Sequence, residues 1–190
     1  MITLKYIKDE IQKIAEAIEA VLEIDVTIVD ENLVRVAGTG IYVEKIGKKV
    51  NGYSAFKKSI IEQSNILITD PSCNEICKEC YSRSDCREFS EMCCPIVCEG
   101  KSYGVIGLIA FDSEQADRIN KDHENLINFL GKMADLISNK LKAQIKAYEL
   151  ELEKKKLETL LDSMDKAIVS IDVKGNIDRY NSKFKEIFKL

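Results

Sequence analysis

The stretch Ser102-Tyr103-Gly104-Val105-Ile106-Gly107-Leu108-Ile109-Ala110-Phe111 is the most hydrophobic part of this 190-residue chain. A continuous apolar run of this kind predicts a strand that is covered on both faces, because a strand with one wet face alternates apolar and polar side chains. The two glycines within the run suit the close approach of another backbone. We therefore expect this segment to form a central strand.

The sequence before this strand predicts the rest of a sheet and its helices. Residues 4–22 repeat apolar side chains at steps of three and four, which indicates an amphipathic helix. Two short apolar runs surround a polar turn within residues 25–36 and predict a β-hairpin. A helix over residues 54–65, a strand over 66–69 and a strand that starts near Pro95 follow. The expected fold is of the α+β class, with an antiparallel sheet flanked by helices.

A very long helical pattern follows the central strand. It runs from about Ser113 to Met164 without a proline and keeps a rough heptad spacing of apolar residues. A helix of this length exceeds those of ordinary globular domains, so it predicts a coiled coil and a homodimer. The alternative is that its first half packs on the sheet while its second half is a solvated linker.

Composition narrows the classes of function. Hydrophobic residues make up 45% and charged residues 32% of the chain, which is typical of a globular protein. A net charge of −4 disfavours direct nucleic-acid contact, because phosphate binding needs clustered Lys and Arg. The sequence shows no signal peptide and no apolar run long enough for a membrane span, so we expect a cytoplasmic location and no membrane partner. It also lacks a catalytic constellation, so we expect no enzymatic activity.

All seven cysteines lie between Cys73 and Cys98, so they are expected to act together. A reducing cytosol favours metal binding over structural disulfides. Cys77 and Cys80, with two residues between them, form one closely spaced pair, whereas four-cysteine zinc sites prefer two such pairs. One close pair with scattered partners is more typical of an iron–sulfur cluster. We predict a 4Fe–4S cluster, with structural zinc or a thiol–disulfide switch as the alternatives.

Two segments resemble known sensory modules. The central strand and the long helix after it resemble a GAF-type domain over residues 1–140, with a cysteine loop at residues 72–95. Residues 141–164 are then a signalling or linker helix. Within residues 165–190, Ala167–Asp172, a Gly-Asn-Ile turn and Tyr180–Phe184 resemble the opening of an incomplete PAS domain. We therefore expect the chain to be a piece of a longer regulator.

The cysteine loop ends in Cys94-Pro95-Ile96 and is followed by a glycine-containing strand and the PAS-like segment. This combination resembles the sensory regulators of anaerobic bacteria, particularly sigma-54-dependent activators. The resemblance implies four first-choice cluster ligands and two substitutes: Cys77, Cys80, Cys86 and Cys94, then Cys73 and Cys93.

The function implied is a transcriptional regulator's input domain that senses oxygen or redox state, with PAS and effector domains farther along the same polypeptide. The alternative is a small-molecule-binding GAF-type domain whose cysteine loop holds structural zinc or switches between thiol and disulfide.

Overall fold

Five strands pair into one antiparallel sheet in the computed structural model, which describes residues 3–50, 54–80 and 83–189. The strands are β1 (Asp25–Asp30), β2 (Arg35–Gly38), β3 (Ile66–Ile68), β4 (Ser90–Cys98) and β5 (Lys101–Ala110). Their order across the sheet is β2-β1-β5-β4-β3, so the apolar segment forms the central strand. The predicted α+β class and antiparallel sheet are confirmed.

Five helices accompany this sheet: α1 (Lys8–Leu22), α2 (Ala55–Glu62), α3 (Glu75–Lys78), α4 (Ser113–Lys121) and α5 (His123–Asp162). Short 3-10 helices cover Leu4–Ile7, Gly40–Lys45 and Arg83–Asp85. The predicted single helix from Ser113 onward is therefore wrong in one detail. Asp122 leaves helical geometry with a φ of −118° and a ψ of 27°, and its Oδ1 accepts a hydrogen bond from Nδ2 of Asn125 at 2.5 Å. Local bonding of this kind competes with a continuous helix.

Strand β4 starts at Ser90, five residues before the predicted start at Pro95. Proline has no backbone N–H to donate within a ladder, so its place inside a nine-residue strand needs an explanation. In the structure, β3 pairs only with Glu91, Met92 and Cys93. Pro95 lies beyond the end of β3, where its missing N–H costs no hydrogen bond. The last six residues of the cysteine loop thus belong to the sheet.

The two faces of the sheet pack differently. Helix α1 packs against β1 and β2, and the Ser138 hydroxyl of α5 donates to the Val97 carbonyl of β4 at 2.8 Å. The face away from α1 and α5 carries an apolar cluster that includes Val29, Val105 and Ile109 of the sheet. This second face is where the cysteine loop lies, so it positions the candidate site.

Two glycines of β5 permit close contacts. A Cβ on Gly104 would lie 2.1 Å from the Val29 carbonyl oxygen and 2.7 Å from Cδ1 of Leu4. A Cβ on Gly107 would lie 2.6 Å from Cε1 of Phe56, so the phenyl ring rests directly on the central strand at this position. These are the close approaches that the glycines suggested.

The chain divides into two compact units, Met1–Gln144 and Ile145–Leu190, with the division inside α5. The second unit contains a hairpin of β6 (Val169–Ile171) and β7 (Ile177–Tyr180), followed by α6 (Ser182–Phe188). The element order of strand, turn, strand and asparagine-started helix is the one expected from the PAS-like sequence. The PAS assignment itself stays a prediction.

One side chain organises the second unit. Asn181 is 3% exposed, and its Oδ1 accepts hydrogen bonds from the backbone N–H groups of Ile168 at 2.9 Å and Phe184 at 3.1 Å. Its Nδ2 donates to the carbonyls of Leu161 at 2.9 Å and Lys166 at 3.0 Å. Asn181 thereby ties the last turn of α5 to the hairpin and caps α6.

Replacement of Asn181 by alanine is expected to loosen the hairpin and α6 by about 3 kcal/mol, because buried backbone groups lose their partner. Amide hydrogen exchange should show faster exchange at Ile168 and Phe184. Asn176→Ala is the matched control, since the Asn176 side chain makes one exposed hydrogen bond to Asp172. Equal protection in the Asn181 variant and the parent chain would contradict this role.

None of the helices within the described residues is both long and apolar enough to cross a membrane.

Candidate functional site

A cavity of about 840 Å³ lies on the face of the sheet that carries the cysteine loop. Its walls come from β2, the start of α2, the end of β3, the loop itself, β4 and α4. Phe56 and Ile68 give it an apolar side, while arginines and glutamates give it a charged side. A volume of this size is within the usual range for pockets that hold small molecules or cofactors.

The loop brings three of the predicted ligands to this cavity: Cys77, Cys80 and Cys86. Successive turns place them there. Asn74 caps the short α3, since its Oδ1 accepts from the Ile76 N–H at 2.9 Å. The Cys80 N–H then bonds to the Cys77 carbonyl at 3.2 Å, and similar bonds 3.2 and 3.4 Å long lead through Arg83 to Cys86.

The remaining cysteines are placed differently. Cys93 is fully buried on the cavity side of β4, within the same apolar cluster as Phe56 and Ile68. Cys94 follows it in the strand, and consecutive strand residues point to opposite faces. Cys94 therefore lies on the other face, where the charged group that affects it is Asp135 of α5. The structure does not bring this first-choice ligand to the cavity.

Cys73 and Cys98 lie at the two ends of the cysteine series. Cys73 is exposed and is not part of the cavity wall, although its neighbour Ser72 is. Cys98 is buried at the end of β4. All seven cysteines are free thiols. Within residues 3–50, 54–80 and 83–189, no three His, Cys, Asp or Glu side chains are grouped closely enough to hold a metal ion.

The donor set nevertheless fits a thiolate-bound cluster in its chemistry. Three soft ligands face one cavity, and a fourth, Cys93, lies on the same face of the sheet. The residues that would hold a cluster are therefore Cys77, Cys80 and Cys86, with Cys93 or Cys73 as the fourth.

Burial favours the protonated form of Cys77, Cys86 and Cys93. Burial, with a smaller contribution from the Glu91 carboxyl, raises the pKa of Cys77 to about 11. Burial also raises the pKa values of Cys86 and Cys93. Because the thiolate is the form that attacks disulfides and binds metals, the metal-free thiols are poor nucleophiles at neutral pH. A metal must displace their protons to bind.

An acid, a phenol and a guanidinium form a second group at the cavity. The Tyr42 hydroxyl donates to Oε1 of Glu88 at 3.2 Å. The Arg35 guanidinium carbon lies 4.9 Å from the centre of the Tyr42 ring, within cation–π range. The buried Nε of Arg35 has no hydrogen-bond partner among the described residues.

Glu91 is the most buried acid at the site, with 7% of its surface exposed. The Cys93 thiol donates to its Oε1 at 3.3 Å. Burial, aided by the neighbouring Glu88 carboxyl and opposed by the Cys93 hydrogen bond and by Arg35, raises the pKa of Glu91 to about 8. The carboxyl is therefore largely protonated at neutral pH.

Sequence reasoning singled out the cysteines and missed Arg35, Tyr42 and Glu91. One signal was present for Glu91, a charged residue at the start of the apolar series Met92 to Val97. Arg35 and Tyr42 carried no comparable signal, because they meet Glu88 only through contacts across more than 40 residues of chain.

Comparison with known proteins supports the fold and places the chain in a family. The family model described as "Stage V sporulation protein T C-terminal, transcription factor" matches residues 7–135. The putative uric acid sigma-54-dependent transcriptional regulator UacR of Escherichia coli K12 is 29% identical over 180 residues, which are 94% of this chain and 30% of that protein. The chain thus spans less than a third of this relative. The predicted resemblance to sigma-54-dependent regulators is confirmed.

Solved structures show the fold. The GAF domain of an Acinetobacter phosphoenolpyruvate-protein phosphotransferase has a TM-score of 0.55 at 16% identity, over 77% of this chain and 86% of that one. The Escherichia coli DhaR(N)–DhaL complex has a TM-score of 0.55 at 17% identity, over 98% of this chain and 66% of the matched chain. The GAF-like fold expected from the sequence is confirmed.

Proposed function

Because the chain belongs to the Stage V sporulation protein T C-terminal, transcription factor family, we propose that it is the sensory input part of a sigma-54-dependent transcriptional regulator. The cavity beside the cysteine loop receives the signal. The regulator acts in the cytoplasm, without catalytic activity of this part, and its effector domains lie elsewhere in the same polypeptide. The second unit is the opening of a PAS domain.

The signal proposed is redox state or oxygen, read by an iron–sulfur cluster of the 4Fe–4S type. The observation that carries this proposal is that Cys77, Cys80 and Cys86 line one cavity. Cys93 or Cys73 supplies the fourth thiolate, because Cys94 lies on the opposite face. A bound cluster supplies one-electron redox chemistry whose potential depends on its surroundings.

The chain links this loop to the long helix. At the start of β4, the Ser90 hydroxyl lies 2.9 Å from the Ile68 carbonyl and 3.1 Å from Oδ1 of Asn120, which belongs to α4. Helix α5 begins three residues after Asn120. A change in the loop therefore has a direct connection to the α4–α5 junction through the buried Ser90. This connection supports transmission of the signal along α5.

The second half of α5 supports the proposed homodimer. Leu150, Leu157 and Leu160 recur at steps of seven and three, the a and d spacing of a coiled coil. Each of them is more than 60% exposed. Pairing with the same helix of a second copy would remove these side chains from water.

The test is anaerobic reconstitution of the 190-residue chain with iron and sulfide, followed by an absorption spectrum and an iron assay. The parent chain is expected to turn brown and to hold about four iron atoms per chain. Cys77→Ser should abolish the visible absorption. Cys94→Ser, the matched control in the neighbouring strand, should retain it because its side chain faces away from the cavity.

Loss of the cluster in Cys94→Ser with retention in Cys77→Ser would reject this ligand set. A colourless protein with stoichiometric zinc would instead support the structural zinc alternative. Rapid reaction of Cys77 with a disulfide reagent at neutral pH would favour the thiol–disulfide switch, since its raised pKa predicts slow reaction.

The volume and mixed lining of the cavity favour a second candidate function, the binding of a small effector molecule. The cavity has room for a compound of drug-like size. The Escherichia coli relative is named for uric acid. Uric acid is therefore the first compound to titrate against the metal-free protein.

A further inference from the structure

Five cationic side chains line the cavity, and none of them forms an ion pair with another residue in the part of the chain that the structure describes. They are Arg35, Lys45, Lys49, Arg83 and Arg87. Elsewhere on the surface ion pairs do form, such as Arg118 with Glu23 and Lys142 with Glu99, each at 2.9 Å. Positive charge without an ion-pair partner among the described residues is thus gathered at one concave place of a chain whose net charge is −4.

The acids of the same lining already have partners within the chain. These partners are Ser72 for Asp70, Tyr42 for Glu88, Cys93 for Glu91, and Lys121 for Asp117. The acids are therefore engaged in hydrogen bonds or ion pairs, and Glu88 acts on Arg35 and Lys45 only from beyond ion-pair distance. The lining carries five cations and four acids, and Glu91 is largely protonated, so the lining keeps a net positive charge.

Among these cations, Arg35 is the one most removed from water. It is half-buried, whereas the other four cations are exposed. Its buried Nε donates no hydrogen bond within the described residues. Desolvation by burial lowers the pKa of Arg35, and the nearby Tyr42, Glu88 and Glu91 oppose this shift only in part. A guanidinium presents parallel N–H groups that match a carboxylate or another planar anion.

Part of the cavity lining is apolar. Phe56 and Ile68 are buried side chains of the cavity lining, and Ile76 from the loop is half-buried beside them. The phenyl ring of Phe56 keeps its place because Gly107 has no Cβ to collide with it. A ligand that met Arg35 with its charge would therefore meet a hydrocarbon surface with its body.

From these contacts we infer that the cavity binds a small organic anion with an aromatic or other apolar body, anchored by Arg35. This inference rests on the second proposed function, that the cavity holds an effector molecule. The exposed cations at the rim attract the anion and hold it less specifically than Arg35 does, since exposed charges are screened by water and salt.

The inference is tested on the metal-free 190-residue chain with matched pairs of probes. A panel of aromatic and heteroaromatic acids, beginning with benzoate, is titrated beside the neutral amides of the same shape, beginning with benzamide. At least one acid is expected to bind and to raise the melting temperature, while its amide does not. Arg35→Gln should weaken the acid's binding about tenfold or more, the usual worth of a charged hydrogen bond.

Arg118→Gln is the control, because Arg118 is a surface arginine paired with Glu23 rather than facing the cavity. Its affinity for the acid should equal that of the parent chain. Lys49 is exposed, so Lys49→Gln should reduce the salt dependence of acid binding and should lower the affinity less than Arg35→Gln does. The inference is overturned if no acid binds better than its amide, or if Arg35→Gln binds the acid as well as the parent does.

The two proposals for the cavity can fail separately. One alternative is that the cations serve only to balance the charge of a thiolate cluster. In that case the metal-free chain should bind no acid, and Arg35→Gln should hold less iron than the parent chain after reconstitution. That result would overturn the anion site and preserve the cluster. Acid binding by a variant with serine at Cys77, Cys80 and Cys86 would support the anion site whether or not a cluster forms in the parent chain.

Discussion

Gly104→Ala is expected to destabilise the first unit more than the same change at Gly107, the other glycine of the central strand. The new Cβ would lie 2.1 Å from the Val29 carbonyl oxygen, which belongs to the ladder between β1 and β5. Backbone atoms of a ladder cannot move aside without breaking its hydrogen bonds. We expect a loss of roughly 3 kcal/mol or more in the free energy of unfolding, at the upper end of overpacking costs. Urea denaturation followed by circular dichroism measures it.

Gly131→Ala provides the matched control. Gly131 lies within α5, and a Cβ there would meet nothing within 4 Å. Because alanine favours the helix over glycine, this variant should be more stable by about 1 kcal/mol. Gly107→Ala should fall between the two, since the Phe56 side chain can turn away from the added methyl. A Gly104 variant as stable as the parent would show that the central strand does not approach β1 as closely as described.

Glu91→Gln is expected to stabilise the metal-free protein in alkaline solution. Burial raises the pKa of Glu91 from an ordinary value of 4.5 to about 8. The folded protein therefore binds a proton that the unfolded chain has lost between these two values. Stability from this group is fully present below pH 4.5 and falls as the pH rises to about 8. The loss is about 2–4 kcal/mol, less than the full shift implies because the neighbouring charges adjust.

Glutamine has nearly the same shape, keeps an oxygen that can accept from the Cys93 thiol, and carries no charge to desolvate. The variant should match the parent at pH 5 and exceed its stability at pH 8.5, as measured by urea denaturation at both values. The groups that act on Glu91 are Glu88, Arg35 and the Cys93 thiol, and Glu91 in turn acts on Tyr42, Cys77 and Cys86; the variant retains all of them. Glu99→Gln is the control, because the Lys142 partner lowers the pKa of this exposed acid. The same pH dependence in parent and Glu91 variant would refute the buried-acid description.

The sheet was predictable because its central strand carries a local signal. Lys101–Ala110 is a continuous apolar run, and a strand with neighbours on both sides and layers on both faces requires that composition. The amphipathic α1 was predictable for the same reason, since its buried residues follow the helical period. The start of β4 was not, because the effect of Pro95 depends on where the neighbouring β3 ends, and no local pattern gives that length.

The site was predictable only in part. Spacing identified the cysteine cluster, but a shared loop does not determine which side of a strand a thiol faces. Cys93 and Cys94 are adjacent in β4, so only one of them can face the cavity, and the resemblance to known regulators had favoured the other one. Arg35 was not predicted because the groups it meets, Tyr42, Glu88 and Glu91, include two that lie more than 50 residues along the chain. Glu91 has near neighbours in sequence, Glu88 and Cys93, but only the fold shows that it is buried among them.

The position of Pro95 has a consequence for solubility. Beyond the end of β3, Cys94–Cys98 of β4 have no second strand partner within the described sheet, although the Val97 carbonyl accepts from Ser138 of α5. An open strand edge is a template on which another chain can add by intermolecular hydrogen bonding, the first step toward aggregation. Pro95 offers no N–H to such a chain and interrupts the row of donors. Pro95 therefore also lowers the tendency of this edge of the sheet to pair with another chain.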